Sequence, residues 1–332
     1  MLNAGYLFRW SVPCLLFALL SACSDGSDRR PSVPPVEPPE PLPLLSARQA
    51  VSEADLLNGP LARGRAGDYV LENDLFRVII QKAGRQWFNL GAYGGNIIDV
   101  AARREDGTFL PDHLEEFVVG INIENTPNYT EVRVEADGGD GKEAVICATG
   151  PDDLFEYANA SSAIREFGFP FPESADDRDL PLEIETCYRL APAQAYVVMD
   201  TTLRNTSSED LGVYQVEYLG SSGQVGRYQP QAGFGLPQVN PACPASSRVS
   251  CSWSDSGECD QCNFVAYAGV DGASGVSYGF IHEEAGSSSF SDNGTNVVVL
   301  GQDVLTLLAT QAPPNFTVPA EGELTLRRLS LI

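Results

Sequence analysis

The stretch LPLEIETCYRLAPAQAYVVMDTTLRNTS, Leu180 to Ser207, decides the fold class. Within it Leu182, Ile184, Tyr188 and Leu190 alternate with Glu183, Glu185 and Arg189. Successive side chains of a strand point to opposite faces, so this period of two describes a half-buried strand. AYVVMDTTLRN follows as a second run rich in β-branched residues and gives way to turn chemistry in NTSSED, 205–210.

Working outward, FRVIIQ, EVRVEA, KEAVICATG, GVYQVEYLG, NFVAYAGV, GVSYGFI, NVVVL and ELTLRRLSLI have the same character. Turns such as DGGDG (137–141) and SDNG (291–294) separate them. One segment reads as a helix: DDLFEYANASSAIREFG, 152–168, with Asp152 or Asp153 as N-cap and Gly168 as terminator. Many strands without crossover helices mean an all-β protein of antiparallel sheets packed face to face, with one short helical insertion.

The N-terminus carries a different signal. Trp10 to Leu20 is apolar but too short to span a bilayer, and it ends in Leu20-Ser21-Ala22-Cys23. This resembles a bacterial lipobox, which implies a signal peptide over 1–22 and a lipid (palmitate among the acyl chains) on Cys23. Multiple chains are what stable anchoring requires. Ser24 in place of Asp favours the outer membrane or cell surface. Residues 23–44 then form a Pro-rich tether that cannot build a core, which leaves 45–332 as one folded domain.

Of the 8 cysteines, Cys14 leaves with the signal peptide and Cys23 is lipidated. Cys147, Cys187, Cys243, Cys251, Cys259 and Cys262 remain, an even set in an exported chain, and point to disulfides. Cys147 and Cys187 lie in strand-like runs and suit a strand-to-strand bridge. The other four crowd into one segment with three possible pairings. Its single C-x2-C makes zinc the weaker alternative there.

With 45 acidic against 21 basic residues and a net charge of −24, nucleic acid is excluded as a partner. No cofactor is expected. Calcium at Asp137 and Asp140, or at Asp176, Asp177 and Asp179, is a weaker alternative, because neither run has EF-hand spacing.

Three segments together resemble the galactose mutarotase-like supersandwich fold: YVLENDLFRVII with YGGNIIDV, the Leu180–Ser207 pair, and the closing PAEGELTLRRLSLI. More narrowly, GRAGDYVLEND, GGNIIDV and DHLEEF resemble the N-terminal module of uncharacterised myxobacterial-type lipoproteins. The resemblance implies a β-supersandwich with a concave ligand face. Mutarotases of this fold use a His on the strand that corresponds to LGVYQVEYLG, 211–220, and none stands there.

The mature chain has only His113 and His282. PDHLEEF groups Asp112, His113, Glu115 and Glu116, while IHEEAG sets His282 beside Glu283 and Glu284. A His with carboxylates suits general acid–base work, so His113, Glu116, His282 and Glu283 are the catalytic candidates; solvated strand ends are the plainer explanation. A pyranose presents C–H patches beside hydroxyls. Arg85, Trp87, Tyr93, His113 and Trp253 are therefore the ligand-binding candidates, with a core role the alternative for Trp87. The favoured reading is a non-catalytic lipoprotein binding carbohydrate or another envelope ligand. The alternatives are an epimerase- or lyase-like enzyme using His113 and His282, and a structural surface-assembly module.

Overall fold

Half-buried strands need neighbours for their backbone groups and a second surface for their apolar faces, and this chain provides both within two large antiparallel sheets and a separate two-stranded one, Leu211–Val213 with Phe316–Val318. The computed structural model describes residues 44–84, 92–122, 124–156, 178–213, 215–221, 225–229, 233–234, 264–269, 275–282, 296–300, 305–309 and 316–331. Its strands, in chain order, begin with β1 (Leu45–Gln49), β2 (Tyr69–Asn73), β3 (Phe76–Ile80), β4 (Ile97–Ala102) and β5 (Leu114–Ile121). Then come β6 (Asn125–Pro127), β7 (Glu131–Asp137), β8 (Ala144–Leu154), β9 (Leu182–Leu190) and β10 (Tyr196–Asn205). The series continues with β11 (Leu211–Val213), β12 (Gln215–Ser221), β13 (Val225–Gln229), β14 (Gly233–Phe234) and β15 (Phe264–Gly269). It closes with β16 (Ser277–His282), β17 (Asn296–Leu300), β18 (Leu305–Ala309), β19 (Phe316–Val318) and β20 (Glu323–Leu331).

The first sheet runs β1-β2-β3-β4-β5-β12-β18-β17, and the second runs β7-β8-β9-β10-β20-β16-β15-β13-β14. The long strand β8 belongs to both. Its Ala144–Pro151 part pairs with β9, while Asp152–Leu154 pair with β6, which in turn meets β5. One core draws on the inner faces of both sheets: Leu71, Val78, Ile80, Phe117 and Val119 from the first, Ile146, Tyr188, Met199, Tyr278 and Phe280 from the second. Phe117 and Phe280 meet across it with ring centroids 5.0 Å apart. The all-β, antiparallel architecture expected from the sequence is what forms, and Leu42–Ile332 is one compact unit.

The period-two reading of Leu180–Ser207 places β9 against β10, with Thr201 opposite Thr186. β10 is then covered on its other edge by β20. Cys147 and Cys187 stand opposite one another in the β8–β9 register, with Cα atoms 4.1 Å apart, and form a disulfide. Cys243, Cys251, Cys259 and Cys262 lie outside the described residues, as do residues 1–43 with Cys14 and Cys23.

The helix expected over 152–168 is corrected in its first turn. Asp152, Asp153 and Leu154 continue β8 as extended backbone, because their ladder partners come from β6. Residues 157–168 lie outside the described residues. Among the described residues, the helical content is one 3-10 turn, Glu53–Asp55.

Candidate functional site

Acidic residues inside an apolar strand must be paired or must give up their charge. β5 reads LEEFVVGI, and all eight of its residues are buried. Its pairing with β12 jumps from Gly220↔Glu116 to Ser221↔Leu114, so Glu115 is an extra residue, a β-bulge. Leu114 and Phe117 consequently both join the inter-sheet core although they are three positions apart, and Glu115 and Glu116 are left to the outer face of the first sheet. β4 carries the same device next door. There Ile98 is the extra residue between Ile80↔Ile97 and Ile79↔Asp99. Gly95, with φ of 89°, supplies the left-handed turn that feeds this strand.

Residues 51–66 cover that outer face. Leu56 and Leu57 pack on Val70, Ile79 and Ile98. The Arg63 and Gly64 amides donate to Asp99 Oδ1 and Oδ2, each at 2.7 Å. The Asp112 amide donates to the Asn58 carbonyl at 2.9 Å, and a Cβ on Gly59 would run into the Asp112 backbone. Asp112 Oδ1 accepts from the amides of Val100 (2.9 Å) and Leu114 (3.2 Å). The His113 amide donates to the Tyr278 hydroxyl at 2.7 Å, which ties β5 to β16.

These carboxyls are sealed from water: Asp112 is 0 % exposed and Glu116 is 1 % exposed. Burial holds Asp112 well above the usual carboxylate range, and the neighbouring Asp99 adds to the shift. Burial does the same for Glu116, reinforced by Glu115 and opposed by Arg63. Neither oxygen of the Glu116 carboxyl has a hydrogen-bond partner. Burial pushes the His113 imidazole down, which favours its neutral form. Burial thus biases the Asp112 and Glu116 carboxyls and the His113 imidazole toward their uncharged forms. A cavity of about 120 Å³, lined by Val100, Leu110, Pro111, Val276 and Tyr278, adjoins it.

A second region surrounds Tyr93, which stands just ahead of the Gly94-Gly95-Asn96 turn. Its ring is partly exposed, and its hydroxyl donates to the Leu154 carbonyl at 3.1 Å. Burial, then the Asp153 charge, pushes its phenol up to about 12. Behind it, Asn128 Nδ2 donates to Asp153 Oδ2 at 2.8 Å, and Asn125 Nδ2 donates to Asp152 Oδ2 at 2.7 Å. An aromatic face beside amides and carboxylates is the chemistry that a sugar or polyol ligand engages.

The structure therefore brings Asp112, His113, Glu115 and Glu116 together with Asp99 and Tyr278. His282 closes β16, its Cα opposite Arg328. Arg85, Trp87, Trp253 and Glu283 lie outside the described residues, as do the calcium candidates Asp176 and Asp177. Asp137 and Asp140 each accept a nearby turn amide, from Gly139 (2.8 Å) and Lys142 (3.0 Å). Asp99 and Asn125 were not singled out from the sequence. A signal did exist for Asp99: an acid in the apolar run IIDVAA has to be bonded internally.

No protein-family model and no curated protein matches the chain. Among solved structures, a TPR-domain containing protein from Parabacteroides distasonis ATCC 8503 aligns with a TM-score of 0.45 and 9% identity, over 87% of this chain and 53% of that one. An alpha-mannosidase from Enterococcus faecalis V583 aligns with a TM-score of 0.39 and 14% identity, over 79% of this chain and 29% of that one. A galactose mutarotase related enzyme from Lactobacillus acidophilus aligns with a TM-score of 0.37 and 8% identity, over 80% of this chain and 96% of that one. This chain spans about half the length of the first and under a third of the second. At such scores the likeness assigns neither family nor activity.

Proposed function

We propose that the protein is a lipid-anchored envelope protein, tethered through Cys23, whose β-sandwich binds a carbohydrate or related hydroxyl-rich ligand without transforming it. The observation that carries this reading is the burial of His113 and Glu116, the two catalytic candidates whose side chains are described, together with their neighbour Asp112. Asp112 and Glu116 are sealed beneath residues 51–66, and His113 is 2 % exposed. They stand where internal groups stand, with no water-facing edge for a substrate. The partly exposed Tyr93, preceded in sequence by Arg85 and Trp87, supports the ligand-binding part of the reading.

The test is a glycan array together with thermal shift, using the intact lipidated protein in detergent. Saccharide binding that is weakened in Tyr93→Ala and retained in Glu116→Gln supports the reading. Absence of binding to every saccharide class removes the carbohydrate part. Conversion of a bound sugar would replace the reading with the epimerase- or lyase-like one. For the anchor, Cys23→Ser should move the protein from the membrane fraction to the soluble one.

A further inference from the structure

Strand periodicity gathers three metal-capable side chains on the outer face of the second sheet. Glu185 and Cys187 are two residues apart on β9 and share one face, and Cys147 stands opposite Cys187 on β8. Their chain neighbours Ile146 and Tyr188 belong to the inter-sheet core, so these three point away from it. One ligand atom from each, two sulfurs and a carboxylate oxygen, all lie within 4.8 Å of one another. Arg133, opposite Cys147 on β7, donates to Glu185 Oε1 at 2.6 Å. Asp200, opposite Cys187 on β10, is already held by Arg189 at 3.2 Å and Arg327 at 2.7 Å.

The bridge describes the oxidised chain. Every chain passes first through a state with two thiols at these positions, because the disulfide closes between residues that the β8–β9 ladder already sets opposite one another. In that state two soft sulfur donors and one carboxylate converge. Such a set selects zinc over the hard cations calcium and magnesium, and three protein ligands leave a fourth position for water. Zinc–sulfur bonds of about 2.3 Å place two sulfurs roughly 3.8 Å apart in a tetrahedral site. Rotation of the cysteine side chains reaches that spacing while the strands stay paired. Zinc with two thiolates and a carboxylate carries a single negative charge, which the Arg133 guanidinium balances while holding Oε1 and leaving the other oxygen for the metal.

We infer that Cys147, Glu185 and Cys187 form a zinc site of the reduced protein, a state exclusive of the disulfide. A dithiol reductant opens the bridge by thiol–disulfide exchange: two electrons and two protons pass to Cys147 and Cys187, and the dithiol becomes a disulfide. Zinc then displaces both thiol protons into solvent. A disulfide-carrying oxidant reverses this, taking two electrons from the thiolates, closing the bridge and releasing the metal. Cys147 and Cys187 are 1 % and 6 % exposed, whereas the Glu185 and Arg133 side chains are 40 % and 36 % exposed, so the metal enters past Glu185. The site holds β8 to β9 before the bridge forms, and it is independent of the ligand read at Tyr93.

The experiment reads each cysteine separately in the intact protein. The wild type and Glu185→Gln are reduced with a phosphine, which is then removed without air, and alkylated over a zinc series. Peptide mass spectrometry follows Cys147 and Cys187 apart from Cys243, Cys251, Cys259 and Cys262. Zinc should slow alkylation of Cys147 and Cys187 together in the wild type, and half-protection should need about tenfold more zinc in Glu185→Gln. Zinc should also raise the Tm of the reduced wild type and leave that of the Cys147→Ser/Cys187→Ser pair unchanged. Alkylation of the two that is indifferent to excess zinc overturns the inference, as does equal protection in Glu185→Gln. If reduction alone unfolds the sandwich, zinc must restore its strand circular dichroism, at lower concentration in the wild type than in Glu185→Gln, and failure to do so overturns it equally.

Discussion

Glu217 on β12 and Arg328 on β20 face each other across the two sheets, Oε1 to Nε 3.0 Å, with no exposed surface on either side chain. Arg328 is further held by the Leu326 carbonyl at 3.0 Å and the Thr201 hydroxyl at 2.7 Å. Thr201 shares a 2.8 Å bond with Thr186, which accepts the Tyr129 hydroxyl at 2.6 Å. Two desolvated charges attract strongly, but removing one leaves the other buried and uncompensated. Glu217→Ala should therefore cost about 3–5 kcal/mol in urea unfolding, while a paired apolar replacement of Glu217 and Arg328 should cost far less than the two single changes summed.

The Cys147–Cys187 disulfide closes a loop with a sequence separation of 40. By chain-entropy reasoning its reduction, or a Cys147→Ala/Cys187→Ala pair, should destabilise the sandwich by about 2–4 kcal/mol. Urea unfolding with and without a reductant measures this. An unchanged midpoint would show that the β8–β9 ladder needs no covalent support.

Glu116 gives a pH prediction of definite sign. Its carboxyl is raised above the ordinary value of 4.5, so its contribution is present below the unfolded value and is lost as pH rises through the raised one. Glu116→Gln removes the charge at every pH. The variant should match the wild type in acid and exceed it in stability at neutral to alkaline pH, by about 1–3 kcal/mol. Denaturant midpoints across the pH range check the divergence.

Gly59 lies hard against the Asp112 backbone, so Gly59→Ala must lift the cover segment or shift β5. Overpacking of this kind typically costs about 1–3 kcal/mol. The expected readout is a lower Tm together with faster proteolysis within residues 51–66. Unchanged proteolysis would mean that the strand yields and the cover stays.

Much of the architecture was legible because strand periodicity is a local property. Leu182, Ile184, Tyr188 and Leu190 mark the buried face of β9 from their spacing alone, and opposed cysteines in two such strands point to a bridge. The helix expected from Asp152 shows where local reading stops. An acid ahead of an amphipathic run looks the same whether it caps a helix or bonds a distant amide, and here the partners, Asn125 and Leu180, lie 27 and 28 residues away.

By itself the sequence determined the all-β class and the positions of most strands. These depend on side-chain period and on backbone chemistry within a few residues. Only the tertiary structure decided which acids are sealed. In PAEGELTLRRLSLI, period two assigns Arg327 and Arg328 to opposite faces but not which of them goes inside. Pairing with β10 sends Arg327 out to Asp200, at 2.7 Å, and Arg328 into the core to meet Glu217. Likewise the bulges at Ile98 and Glu115 shift the face of every residue beyond them. A one-residue slip inverts a strand, and the neighbouring strands, not the strand's own residues, decide whether it occurs.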